Sequence, residues 1–189
     1  MIVLVDNYDS FTFNVYDYLA RHVDVRVVRN TEDLDVVKAL VPKGIVLSPG
    51  PSHPANSGLT LKVIDSFEDK VPLLGICLGM QAMGYHYGKP VRKARSVMHG
   101  KVDRMVHSGG TMFDGIEKEF TAVRYHSLVI DCDDKDLRVC AVSESDGEVM
   151  AIEHRTRKIY GLQFHPESYL TPDGMRFITN FLGVCYGSN

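Results

Sequence analysis

The sequence predicts an α/β fold, a mostly parallel sheet with helices on both faces, joined in the second half by antiparallel strands. Three observations predict it. Near-continuous apolar runs alternate with helix-like segments over roughly the first 90 residues. The runs are rich in Val, Ile and Leu without polar alternation, as strands buried on both faces are. After Val91 the pattern changes to short segments separated by glycine turns.

The elements follow in order. Ile2–Asn7 (IVLVDN) reads as the first strand. SFTFNVYDYLARH reads as a helix, with Ser10 as its N-cap and Phe13, Tyr16 and Leu19 at helical spacing. Val23–Arg29 is a second strand, LDVVKALV a short helix, and Gly44–Gly50 a third strand. SGLTLKVIDSFEDK is a further helix and Pro72–Cys77 a fourth strand. KVDRMVH, RVCAVSE, EVMAIEH and KIYGLQF read as antiparallel strands added to the sheet or beside it, with SGG and SDG as turns. GMRFITNFL, after Thr171-Pro172, is the last helix.

The chain's 189 residues suit one domain, 1–189, with a sizeable core. Hydrophobic residues make up 44% and charged residues 24%, with a net charge of −3. That balance offers no footprint for nucleic acid or an anionic membrane. The apolar run Met1–Val5 is too short for a signal peptide or a membrane span. Four cysteines, at 77, 132, 140 and 185, form no CxxC pair. Neither a zinc site nor a disulfide framework is expected, and a reduced, cytoplasmic setting fits.

In a parallel sheet, sites form at the carboxyl ends of the strands. Cys77 stands at such an end, within Gly75-Ile76-Cys77-Leu78-Gly79. This has the form of a nucleophile elbow with cysteine in place of serine. Small neighbours admit a sharp strand-to-helix turn, which pushes the sulfur outward beside the first N–H groups of a helix. Thiolates are favoured at helix N-termini and beside an imidazolium. The competing reading is a cysteine buried in the core; a catalytic one requires a base.

GLQFHPES supplies a candidate, His165, at the end of another strand. Pro166 biases His165 to an extended conformation. Glu167, two positions on, then falls on the same side and can fix the imidazole tautomer. The alternative is a strand-end histidine satisfied by solvent. LSPGPSHP also follows a strand, and the N–H groups of Gly50 and Ser52 there are available to a ligand carbonyl; alone it would read as an ordinary proline-rich turn.

GICLGMQA with FHPES and SPGP resembles the class I glutamine amidotransferases and their Cys-His-Glu triad. VDNYDSFTFN, HGK (His99–Lys101) and YHSL (Tyr125–Leu128) narrow the resemblance to the glutaminase subunits of anthranilate synthase, on the route to tryptophan, and aminodeoxychorismate synthase, on the route to folate. It spans Ile2 to Leu182 and implies a flavodoxin-like doubly wound sheet. It implies Cys77 as nucleophile, His165 as base and acid, and Glu167 as orienter. It implies Gly50 and Leu78 N–H groups as an oxyanion hole, and glutamine bound by Gly50, Pro51, Ser52, Gln81, Ser127 and Leu128. No cofactor or metal is implied for this chain. The implied partner is a synthase subunit that binds chorismate and Mg²⁺ and receives the ammonia, anthranilate synthase first. The loop Gly50–Ser57 and the segment Ser96–Lys101 are the elements such a partner is expected to reshape.

Two positions depart from the family pattern: Ser52 stands where glycine is usual and Met80 where histidine is usual. The other readings are another cysteine hydrolase of the same fold and a non-catalytic partner protein. Gln81 and YHSL weigh against the first, and the intact Cys77, His165 and Glu167 against the second.

Overall fold

Side chains alternate strictly across the first strand, β1 (Ile2–Asp6). Ile2 and Leu4 enter one apolar cluster and Val3 and Val5 the other. The period of two in a strand, with no exposed face, makes the sequence read as an unbroken apolar run. The computed structural model describes residues 1–133 and 135–187.

After β1 come α1 (Thr12–Ala20), β2 (Val25–Arg29), α2 (Leu34–Ala39), β3 (Gly44–Leu47), α3 (Leu59–Phe67), β4 (Leu73–Ile76) and α4 (Leu78–His86). The second half adds β5 (Val91–Lys93), β6 (Lys101–His107), β7 (Glu119–Arg124), β8 (Leu128–Ile130), β9 (Leu137–Ser143), β10 (Val149–His154), β11 (Ile159–Leu162) and α5 (Gly174–Tyr186). Nine strands form one sheet in the order β2-β1-β3-β4-β11-β10-β9-β6-β7. Pairing is parallel from β2 to β11 and antiparallel from β11 to β7. β5 and β8 make a separate antiparallel pair. The order 2-1-3-4 is that of a flavodoxin-like doubly wound sheet, as the family resemblance implies. One face is covered by α1 and α5, whose Val15, Leu19, Phe177 and Phe181 share a cluster with Leu74 and Ile76. The other face meets α3 and α4 through Val63, Ile64, Met80 and Met83.

Several boundaries differ from expectation. Ser10 is not the cap of α1; Phe11 occupies that position and makes no side-chain cap bond. Asp9 organises the turn instead, its carboxylate accepting the Phe11 N–H at 2.8 Å and its carbonyl the Thr12 N–H at 3.2 Å. An ionised oxygen is the stronger acceptor there. α1 buries Thr12, Val15 and Leu19, while Phe13 is exposed. β2 starts at Val25 because the Val23 N–H still bonds the Leu19 carbonyl. α3 starts at Leu59, since Gly58 has φ +53° and breaks the helix before it. The strand expected to reach His165 ends at Leu162, although His165 makes an isolated bridge to Val123. Among the described residues no helix is long and apolar enough to cross a membrane.

Candidate active site

Cys77 joins β4 to α4 with φ +51° and ψ −102°, a conformation that non-glycine residues rarely adopt. Two contacts hold it there: its N–H donates to Leu162 O at 2.7 Å and its carbonyl accepts from Gln81 N at 3.0 Å. The flanking glycines are a packing requirement. A Cβ on Gly75 would lie 2.5 Å from the carbonyl carbon of Gly79. One on Gly79 would lie 2.4 Å from Leu47 O. The first turn of α4 therefore rests directly on the backbones of β3 and β4, which fixes where the thiol emerges.

Beyond β11 the chain bends at Gln163 and Phe164 and turns at Pro166 and Glu167, in place of the extended run expected there, and the His165 backbone is clamped on both sides. Its N–H donates to Val123 O at 3.0 Å, and its carbonyl accepts from Thr171 Oγ1 at 2.8 Å. Nδ1 of His165 lies 2.6 Å from Oε1 of Glu167, with both residues 2% exposed. The rings of Phe11 and Tyr125 approach the imidazole edge-on, with centroids at 5.6 and 5.2 Å. Burial alone would lower the imidazole pKa. The Glu167 carboxylate and the neighbouring Cys77 sulfur outweigh burial and raise it well above 6.5. Nε2 has no hydrogen-bond partner among the described residues. The structure thus brings Cys77, His165 and Glu167 together, with the free ring nitrogen available for proton transfer.

A cleft of about 180 Å³ opens at Cys77, lined by Gly50, Pro51, Ser52, Gln81 and the segment Tyr125–Leu128. Every residue expected to bind glutamine lines it. Gly50 is wedged in place: a Cβ there would lie 2.5 Å from Asn7 Cβ and 2.7 Å from Leu78 Cδ2. Its N–H and that of Leu78, in the first turn of α4 with no intrahelical acceptor, belong to residues in contact. Ser52 has φ +77°. That is a left-handed conformation which glycine adopts without cost. Gln81 donates through Nε2 to Leu128 O at 2.9 Å and to Gln163 Oε1 at 3.1 Å. Met80 points the other way, fully buried between α4 and β11 against Gly161.

The family described as glutamine amidotransferase class-I matches residues 3–185. The chain belongs to the class I glutamine amidotransferases. It is an enzyme of that family, and its relatives include components of two synthases. Anthranilate synthase component 2 of Pseudomonas aeruginosa is 44% identical, over 96% of this chain and 94% of that protein. Aminodeoxychorismate synthase component 2 of Escherichia coli is 45% identical, over 96% of this chain and 99% of that one. The chain spans 32% of the bifunctional protein TrpGD of Thermotoga maritima, at 39% identity. A GMP synthase subunit from Thermoplasma acidophilum superposes with a TM-score of 0.87 at 32% identity, covering 97% of this chain and 92% of that one.

Sequence reasoning left several residues of this amidotransferase site unassigned. Asn7 supports the Gly50 loop: its N–H donates to Ser48 Oγ and its Nδ2 to Ser48 O, each at 2.9 Å. Asp9 stands beside the dyad, and burial raises its pKa despite the Phe11 N–H and the His165 charge. Arg124, fully buried, lies behind the cleft with His126. All belong to the stretches VDNYDSF and RYHSL. No local pattern in those stretches announces which side chains turn inward.

Proposed function

We propose that this amidotransferase hydrolyses glutamine through a thioester on Cys77 and delivers the ammonia to a chorismate-aminating synthase subunit. The observation that carries it is the Cys77 elbow facing the His165–Glu167 dyad at the mouth of the cleft. The Cys77 thiolate attacks the side-chain amide carbon of glutamine. The oxyanion faces the Gly50 and Leu78 N–H groups, and loss of one such donor costs about 3–4 kcal/mol. His165 gives its Nε2 proton to the departing nitrogen, the C–N bond breaks and ammonia leaves. His165 then takes a proton from water, which attacks the γ-glutamyl thioester; glutamate is released and the thiol restored. The cleft wall formed by Pro51, Ser52, Gln81, Ser127 and Leu128 holds the amino-acid end of glutamine.

The receiving subunit, in this proposal, binds chorismate and Mg²⁺ and makes anthranilate. Names of relatives at 44% identity support that choice. The aminodeoxychorismate relatives at 44% and 45% support the second reading, service to the folate enzyme or to both. A single amidotransferase domain over 1–189 in a reducing cytoplasm belongs to the same proposal, and it fits that no disulfide joins the cysteines at 77, 132, 140 and 185 among the described residues.

Co-purification with the synthase subunit, followed by product identification, tests this function. Anthranilate made from chorismate and glutamine supports the first reading, and aminodeoxychorismate the second. Neither product from an assembled complex contradicts both. Glutamine turnover by the free chain is expected to be slower than by the complex with chorismate bound, because the loop Gly50–Ser57 and the segment Ser96–Lys101 can respond to the partner.

A further inference from the structure

Behind the cleft lies a buried cation that the chemistry above does not use. Arg124 is fully buried in β7. Its Nη1 donates to Asp103 Oδ2 at 2.6 Å and Ser143 Oγ at 3.0 Å, and its Nη2 to Asp146 Oδ2 at 2.9 Å. Two carboxylates neutralise the charge and hold the guanidinium rigidly, as a buried arginine requires. One donor remains. Nε points at His126 Nε2, 3.0 Å away.

A guanidinium has no acceptor, so His126 Nε2 must be the bare nitrogen and Nδ1 must carry the proton. Nδ1 then donates to Leu128 O at 3.1 Å. That same carbonyl accepts from Gln81 Nε2 at 2.9 Å. With its amide nitrogen turned to Leu128 O and Gln163 Oε1, Gln81 leaves its Oε1 without a donor from the described residues. His126 stays uncharged: burial and the Arg124 charge, with a smaller effect of His165, push its pKa down to about 4 against the opposing pull of Leu128 O and Asp146. The wall is thus a neutral imidazole, a carbonyl whose two lone pairs are already taken, and an amide oxygen left to accept. Such a surface accepts an ammonium group, which a protonated histidine would repel.

We propose that Arg124 and His126 are positioning residues that, through the Leu128 carbonyl, hold the Gln81 amide with its Oε1 turned to receive the α-ammonium end of the amino-acid substrate. The relay acts on ground-state binding and leaves the thiol chemistry to Cys77 and His165. The inference rests on the glutaminase reading of the cleft.

The test uses steady-state glutamine hydrolysis by the full chain, with its synthase subunit present, for His126→Asn, His126→Leu and Arg124→Lys. Asparagine keeps an N–H donor at the δ position, while leucine fills the volume without one. KM for glutamine is expected to rise about tenfold or more in His126→Leu and to stay within about threefold of the parent in His126→Asn. Arg124→Lys keeps the charge between Asp103 and Asp146 but loses the Nε donor, and its KM is expected to rise severalfold. In all three, the rate of Cys77 alkylation by iodoacetamide, which does not use the amino-acid subsite, stays within about twofold. Equal KM values in the Asn and Leu variants overturn the proposal, as does a fall in alkylation that tracks the rise in KM. If the parent itself fails to hydrolyse glutamine, the glutaminase reading falls first, and a change in KM cannot then be claimed for the relay.

Discussion

His165 and Glu167 stand two residues apart across a turn, closed by the Ser168 N–H donating to the His165 carbonyl at 3.3 Å, and meet through Nδ1 and Oε1 at 2.6 Å, both nearly inaccessible to solvent. The second carboxylate oxygen, Oε2, has no hydrogen-bond partner among the described residues. Glu167 therefore directs its charge at one ring nitrogen and leaves Nε2 to the thiol side. Its two effects, orientation and stabilisation of imidazolium, are separable from the proton transfer itself.

Glutamine turnover is accordingly expected to fall about 10³-fold or more in His165→Ala and less, about 10²-fold, in Glu167→Gln. The pH profile carries the sign. Burial lowers the His165 pKa, but Glu167 and Cys77 together raise it well above 6.5. Removing the Glu167 charge lowers it again, so the imidazolium that protonates the leaving nitrogen is lost earlier as pH rises. The alkaline limb of kcat moves to lower pH in Glu167→Gln. An unmoved limb, or equal losses in the two folded variants, contradicts these roles.

His126 gives a stability prediction of the opposite sign. Burial first, and then Arg124, hold its pKa at about 4 in the folded chain, against about 6.5 when unfolded. Between those values the unfolded chain binds more protons, so stability rises with pH across that window and is lost as pH falls through it. From pH 7 to pH 5 the parent is expected to lose roughly 2 kcal/mol more than His126→Asn. Urea denaturation of both proteins at the two pH values measures the difference. Equal losses contradict the depressed pKa.

Ser52→Gly is expected to stabilise the protein by about 0.5–1 kcal/mol, because glycine relieves the left-handed backbone at φ +77°. KM for glutamine should not change, since the proposed contact there is through the backbone. Thermal unfolding and steady-state kinetics check both halves. A destabilised variant contradicts the strain at this position.

The parallel half of the fold was legible because burial on both faces writes itself into β1, β3 and β4 as unbroken apolar runs. Cys77 stood out for a local reason, since Gly75 and Gly79 must be glycine where α4 touches the strand backbones. His165 and Glu167 stood out by their spacing around Pro166, but the chain there is a turn and not the extended run expected, and it is the turn that brings the two side chains together. Features created by distant contacts were hidden. Of Phe13, Tyr16 and Leu19 at helical spacing, Leu19 turns inward together with Val15, while Phe13 and Tyr16 are exposed. β5 and β8 have three residues each, and β7 and β5 carry charges that pair only after folding: Arg124 with Asp103 and Asp146, and Arg92 with Asp131 and Glu148. Nothing in RYHSL announces that its arginine is fully buried.

The mechanism turns on Cys77 carrying the acyl group. Acid quenching during glutamine turnover, followed by intact-mass and peptide-mass measurement, reads that group out. A γ-glutamyl adduct is expected on the peptide containing Cys77 and is expected to be absent from Cys77→Ser, whose complex still aminates chorismate when ammonia is supplied. A Cys77→Ser protein that keeps most of its glutaminase rate, or an adduct on another residue, would show that the nucleophile lies elsewhere.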